Sequence, residues 1–289
     1  MRASPAPVVW AYWEDGPRAT RSAYLALCLE TIARHAAPLE LRVLGRADAA
    51  RWLPDLDVER WESLPAPNYR SDYVRSRVLQ RHGGIWIDVD TVALAPLVGL
   101  LEQLDDTGVV CFGRELGRFF GGLCAAAPGT AFVDRWAADQ DRMLERHRDW
   151  ADLPYAALAQ DVTWALARQL PWKALPMEKV APVPWYQWRR FFSRLESPRR
   201  LLAPAPLTVV LWNAVMAPRL RPLGRQDLLR SHMLVARLLR IGLGSSTPEG
   251  EEDVRTALHA LAELRFSRRG QGVEAALRRG GRRAGDAAL

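Results

Sequence analysis

Residues 69–92, YRSDYVRSRVLQRHGGIWIDVDTV, decide the fold. Tyr73, Val74, Arg77, Val78 and Arg81 recur at helical spacing, apolar on one face and basic on the other. Gly83 and Gly84 supply a stop, because glycine takes the left-handed conformation that ends helices at little cost. Ile85, Trp86 and Ile87 then form a short apolar run with the character of a buried strand, and Asp88-Val89-Asp90 closes it. A helix feeding a strand that ends in acids is a unit of an open α/β sheet.

The flanks extend that pattern. Val8 to Trp13 is a buried strand, residues 19–36 a helix, Leu41 to Leu44 a second strand and 47–53 another helix, followed by a Pro-rich connection over 64–68. Downstream, Gly108 to Phe112, Gly122 to Ala126 and Thr208 to Trp212 are expected strands. Residues 130–148, 154–169 and 226–241 are expected helices, the last basic and amphipathic: a core helix with a basic outer face, or one that touches anionic lipid. Residues 171–206, rich in Pro and Trp without periodicity, are expected as long loops packed on the core. The chain divides into a main domain, 1–243, and a segment 244–289 made of a linker, a short helix over 251–264 and an Arg-rich flexible tail.

Composition narrows the class. With 49% apolar and 25% charged residues over 289 positions, the chain is an ordinary globular protein. Cys28, Cys111 and Cys124 form no CxxC pair, which argues against a disulfide framework or a structural zinc site. No secretory leader and no apolar run of membrane-spanning length is evident, so a cytoplasmic location is expected. The formal charge of +7 resembles a nucleic-acid signal until it is located. Residues 265–289 carry seven arginines against Glu274 and Asp286, so this segment alone supplies five of the seven charges. The body is nearly neutral, and nucleic acid is not an expected partner.

The chemistry concentrates at Asp88 and Asp90. Two carboxylates two residues apart at a strand end share a face at the sheet's C-terminal edge, where open α/β sheets bind ligands. Converging carboxylates repel unless a cation lies between them, and few oxygen ligands suit Mg²⁺ or Mn²⁺ partly held by substrate phosphates. One element upstream, Asp72 and Arg75 stand at i, i+3. The arginine's planar fork can bind phosphate or sugar oxygens bidentately.

The run SDYVRSRVLQRHGGIWIDVDTVALAPL, 71–97, resembles the sugar-binding DXD region of family 32 glycosyltransferases, which bacterial capsular polysaccharide synthesis proteins share. VVWAYWEDG and ALCLETIARHAAPLELRVL are similar to that family's opening strand, helix and second strand. The resemblance implies a GT-A fold, an α/β Rossmann-like mixed sheet flanked by helices with helical additions. It also implies a retaining hexosyltransferase that uses Mn²⁺ or Mg²⁺, a nucleotide-sugar donor (a UDP-hexose) and a saccharide or lipid-linked acceptor. Such an enzyme makes surface or capsular polysaccharide at the inner face of the plasma membrane.

Carried over by position, Asp72 and Arg75 would contact the donor sugar and its phosphates. Asp88 would lie near ribose and sugar, Asp90 would bind the metal, and Trp10 and Tyr12 would flank the base. FFGGLCAAAPGTAF, 119–132, resembles a segment that holds Asn and His-Pro in relatives, with Gly121 and Gly122 here at the Asn-containing part. TVVLWNAV, 208–215, resembles a late H-L-W-N block with Val210 in place of His, and it makes Trp212 a donor-site and Asn213 a metal-shell candidate. Gln160 and Asp161 could be an acceptor-side pair or a solvated helix face. Two alternatives stay open: a non-catalytic nucleotide-sugar-binding protein, and a haloacid-dehalogenase-like phosphatase built on IWIDVDTV. The latter class also needs a lysine, and only Lys173 and Lys179 exist.

Overall fold

The computed structural model describes residues 7–15, 21–114, 118–147 and 150–251. In chain order the elements are β1 (Val8–Tyr12), α1 (Ala23–Ala36), β2 (Glu40–Leu44), α2 (Arg46–Trp52), α3 (Val58–Glu62), α4 (Pro67–His82), β3 (Gly84–Ile87) and β4 (Thr91–Ala93). Then come β5 (Val109–Arg114), β6 (Arg118–Ala126), α5 (Ala131–Arg146), α6 (Gln160–Leu166), β7 (Lys173–Leu175) and α7 (Met177–Val180). After a 3₁₀ stretch over Trp185–Phe192 follow α8 (Pro198–Leu202), β8 (Thr208–Val210), α9 (Asn213–Leu220), α10 (Arg225–Arg230) and α11 (Leu234–Gly242).

Six strands form one mixed sheet in the order β2-β1-β3-β6-β5-β7. β1 runs parallel to β2 and β3, β6 is antiparallel to β3 and β5, and β7 closes the edge parallel to β5. Side-chain alternation sorts the core into two layers. Val9, Ala11, Ile85 and Ile87 face the layer that contains α1 and α11, whereas Val8, Trp10, Tyr12 and Trp86 face the one under α4 and α5. This is the mixed α/β architecture expected from the sequence.

α4 begins with Pro67 at its first position, where the missing N–H costs nothing. It ends at Gly83, whose φ of +64° and contact with the Ala126 carbonyl leave no room for a Cβ. The stop therefore serves two purposes: it reverses the chain, and it lets β3 enter the sheet directly beside β6.

Several expectations are corrected. The 226–241 helix is two helices, because Ser231 is extended and its hydroxyl accepts the Met233 N–H. Of the two readings of its second half, the core helix holds for α11: Arg237 is buried and donates to the Glu196 carbonyl, and Arg240 holds Glu251 through both carboxylate oxygens. That pair also packs residues 244–251 onto the body, past the expected boundary at 243. Residues 171–206 hold β7, α7, a 3₁₀ stretch and α8, each too short for periodicity to register. The helix expected over 154–169 spans only Gln160–Leu166, after tight turns from Pro154. Most of the 251–264 helix and all of the Arg-rich tail lie outside the described residues.

Candidate active site

β3 delivers the acids. Its ladder with β6 ends at Ile87, and Asp88 stays tied to β6 through its N–H on the Gly122 carbonyl, at 2.8 Å. Asp88 to Asp90 then form the turn into β4. That strand pairs with β8, Thr91 opposite Val210, which brings the late 208–215 block onto the acids.

Arg75 lies at the centre of this arrangement. One guanidinium nitrogen is 3.1 Å from Asp72 Oδ1, and the other donates to Asp88 Oδ1 at 2.8 Å. The guanidinium sits 5.2 Å from the centroid of the Trp86 ring. The Trp86 indole also donates to Asp88 Oδ1, at 2.8 Å. Arg75 is 5% exposed, so the arrangement makes it a buried bridge that orients two carboxylates rather than a free arm.

On the other side, the Asn213 N–H at the start of α9 donates to Asp90 Oδ2 at 2.6 Å, and the Leu211 N–H binds the Asp90 carbonyl. The Asn213 side-chain oxygen accepts from Tyr24, so Asn213 fixes Asp90 mainly through its backbone. Trp212 has φ of +54°, a costly conformation for so large a residue, and its indole donates to the Val183 carbonyl at 2.7 Å. That conformation turns the chain so that α9 points its first N–H at Asp90.

Charge does not balance here. Burial pushes the Asp72 carboxyl up to about 6 against the pull of Arg75. Burial, reinforced by the neighbouring charge of Asp88, pushes Asp90 up to about 6 as well. Three acids share one arginine. Asp88 Oδ1 and Asp90 Oδ2 are committed to protein donors, which leaves the second oxygen of each for a cation. Among the described residues no group of three His, Cys, Asp or Glu surrounds a metal position, so the acidic donors on offer here are this pair. Two carboxylate oxygens fit a hard divalent ion that keeps waters or substrate oxygens.

The remaining candidates separate. Trp10 is in the core, 1% exposed, with its indole on the Gly83 carbonyl and its ring against Trp52 and His82. Strand alternation turns it under α4, so it cannot flank a base. Tyr12 is buried too, its ring edge-on to Trp61 and its hydroxyl on Glu14. Gly121 and Gly122 permit close approach, but to side chains of this protein: a Cβ would stand 2.7 Å from Arg75 at Gly121 and 2.8 Å from Asp88 at Gly122. Gln160 is half-buried and Asp161 exposed at the start of α6. Lys173 and Lys179 donate to the Gln103 and Pro204 carbonyls, so neither serves Asp88 as the phosphatase alternative requires.

Sequence reading missed four participants. Trp86 was detectable, since it lies two residues before Asp88 on one strand face. Gln140 holds the Asp72 carbonyl from α5, Tyr24 holds Asn213 from α1, and Tyr155 stands near the acids. No sequence signal links any of these three to residues so distant in the chain.

The family model for "Glycosyltransferase sugar-binding region containing DXD motif" matches residues 29–108, which span α4, both acids and β4. Over that region the chain is similar to glycosyltransferases of the DXD type. Over 190 residues, 61% of this chain, it is 27% identical to lactosylceramide 4-alpha-galactosyltransferase from Pongo pygmaeus, covering 81% of that sequence. Identity to the Homo sapiens protein of that name is the same, and there the match spans only half the relative's length. Among solved structures, the galactosyltransferase LgtC in complex with donor and acceptor sugar analogs aligns over 83% of this chain and 96% of its own, at 13% identity and a TM-score of 0.45. Among the described residues, no helix is long and apolar enough to cross a membrane.

Proposed function

We propose that the chain transfers a hexose from a UDP-hexose to a saccharide or lipid-linked saccharide acceptor, with Mn²⁺ or Mg²⁺ held by Asp90 and Asp88. The observation that carries this reading is the uncompensated charge: Asp72, Asp88 and Asp90 converge on one arginine, and the protein has fixed one oxygen of each DXD acid while leaving the other. A divalent ion bound there neutralises charge that builds on a departing nucleoside diphosphate.

The chain's own residues set the geometry. Arg75 and Trp86 hold Asp88, the α9 N-terminus holds Asp90, and Asp72 at the edge of the buried bridge is placed to accept a donor-sugar hydroxyl. Such pre-set charges stabilise a transition state without reorganising during the reaction. Retention of configuration is the expected outcome: the relatives' printed name specifies an α-galactoside product, which preserves the configuration of an α-linked nucleotide sugar. We place the reaction in surface polysaccharide synthesis, on the cytoplasmic side of the membrane, with the basic segment 265–289 as a contact for anionic lipid.

The test is UDP release from UDP-glucose, UDP-galactose and their N-acetyl forms, with and without Mn²⁺. One donor should support metal-dependent turnover, and Asp90→Ala and Asp88→Asn should each abolish it while circular dichroism is unchanged. Full activity in either variant, or turnover indifferent to metal, would overturn the assignment.

A further inference from the structure

Most of the aromatic residues in this chain are spent on the core. Among the described residues only three large aromatic side chains are exposed: Tyr155 at 70%, Trp185 at 61% and Tyr186 at 64%. Isolated exposed apolar groups need no explanation, but these three sit on segments linked through one or two residues to the carboxylate site.

Trp185 and Tyr186 open the 3₁₀ stretch with ring centroids 6.0 Å apart and planes at 87°, an open corner of two perpendicular faces. The stretch is anchored two residues earlier, where the Val183 carbonyl accepts the Trp212 indole. The residue after Trp212 supplies the N–H that fixes Asp90. One short covalent and hydrogen-bonded path therefore joins the aromatic corner to the DXD pair.

Tyr155 belongs to the other side. Its turn is pinned at Leu153, whose carbonyl accepts the Tyr69 hydroxyl at 2.8 Å, and at Leu158, whose carbonyl accepts Gln140 at 2.7 Å. Gln140 also holds the Asp72 carbonyl at 2.9 Å. The Tyr155 side chain is open to solvent, and partial burial followed by the charges of Asp72, Asp90 and Asp88 pushes its phenol up. Exposed aromatic surface thus stands on two segments, one linked through Gln140 to Asp72 and the other through Trp212 and Asn213 to Asp90.

We infer that Trp185 and Tyr186, with Tyr155 at the opposite lip, form the acceptor subsite, where the apolar C–H face of a pyranose ring stacks on the aromatic corner. The inference rests on the transferase reading above. Trp and Tyr suit the role because they pair a rigid apolar face with a polar handle, matching a sugar's apolar face and hydroxyl edge. A membrane contact through the same residues would need no link to Asp90 and no counterpart beside Asp72.

Saturation-transfer NMR with lactose, maltose, cellobiose and diacetylchitobiose, in the presence of UDP and Mn²⁺, tests this on the full chain and on the W185A/Y186A variant. The substitutions are at exposed positions, and unchanged melting curves would confirm an intact fold. We expect at least one disaccharide to bind the wild type and to weaken about tenfold in the variant, with UDP affinity within about twofold. Tyr155→Ala should weaken the same disaccharide by about threefold. Equal disaccharide binding by wild type and variant would overturn the subsite. So would loss of binding to phosphatidylglycerol vesicles with disaccharide binding intact. If UDP and Mn²⁺ bind the wild type but no disaccharide does, the subsite fails and the donor site stands. If UDP and Mn²⁺ do not bind, both readings fail.

Discussion

Arg70 and Arg75 leave the same helix, α4, five residues apart, and both end buried against carboxylates, at 8% and 5% exposure. Arg70 meets one acid. Glu14 takes its Nε and Nη2 in a two-point pair, the Leu64 carbonyl takes Nη1, and Tyr12 donates to the same Glu14. Those hydrogen bonds outweigh burial and hold the Glu14 carboxyl below its ordinary range. Arg75 meets two acids and has a third nearby, and there burial wins: Asp72 and Asp90 are pushed up. The first cluster is complete as it stands and ties the end of β1 to α4. The second carries surplus negative charge that the protein does not itself satisfy. Similar residues in similar burial thus divide into a balanced pair and a cluster with surplus negative charge, and the sign of the carboxylate shifts tells them apart.

The largest expected effect breaks the balanced side. Glu14→Ala strands a buried guanidinium and should cost about 3 kcal/mol of unfolding free energy, read from urea melts. The unbalanced side should respond in the opposite sense. In metal-free buffer at pH 7, Asp90→Asn removes a carboxylate that burial and Asp88 disfavour, and should stabilise the chain by about 1–2 kcal/mol. Adding Mn²⁺ and UDP should reverse the order, because only the wild type gains the ligand.

Acid titration separates the two clusters without mutation. Asp72 and Asp90 titrate near 6 in the folded chain against 3.8 for an ordinary aspartate, so the native state binds those protons more tightly than the unfolded state. Their contribution to stability is full below about 4 and is lost as pH rises through 6. Glu14 has the reverse sign: its contribution is present above its ordinary range and is lost as pH falls through its lowered value. The melting temperature of metal-free protein should therefore rise from pH 7 to pH 5 and fall at stronger acid, and bound Mn²⁺ with UDP should flatten the first slope. A melting temperature that falls steadily from pH 7 would contradict the surplus charge.

The smallest stability effect belongs to Gly122→Ala. The added methyl meets Asp88 Oδ2, the movable end of a side chain, so stability should change by less than about 1 kcal/mol. Transfer should still fall about tenfold in kcat/KM, since a small misplacement of a catalytic group is costly.

How far this division could be read from the sequence depends on distance along the chain. α4, Gly83, β3 and the acids were legible, because the 3.6 and 2.0 periodicities and the glycine stop are local signals. Asp72 and Arg75 were legible as neighbours of the site. Arg75 as a buried bridge was not, because whether an arginine reaches outward or inward depends on Trp86, Gly121 and the approach of β6. Trp10 was misplaced for a related reason: alternation shows that it shares a face with Tyr12 but not which layer covers that face. β4 is three residues long and carries no period, yet its pairing with β8 is what brings Trp212 and Asn213 to Asp90.

The most direct test of the central claim is calorimetric titration of Mn²⁺ into protein saturated with UDP, comparing wild type, Asp90→Asn and Glu14→Gln. The account predicts one bound ion for wild type and for Glu14→Gln, and loss of binding in Asp90→Asn with its fold intact. Undiminished Mn²⁺ binding by Asp90→Asn would contradict it.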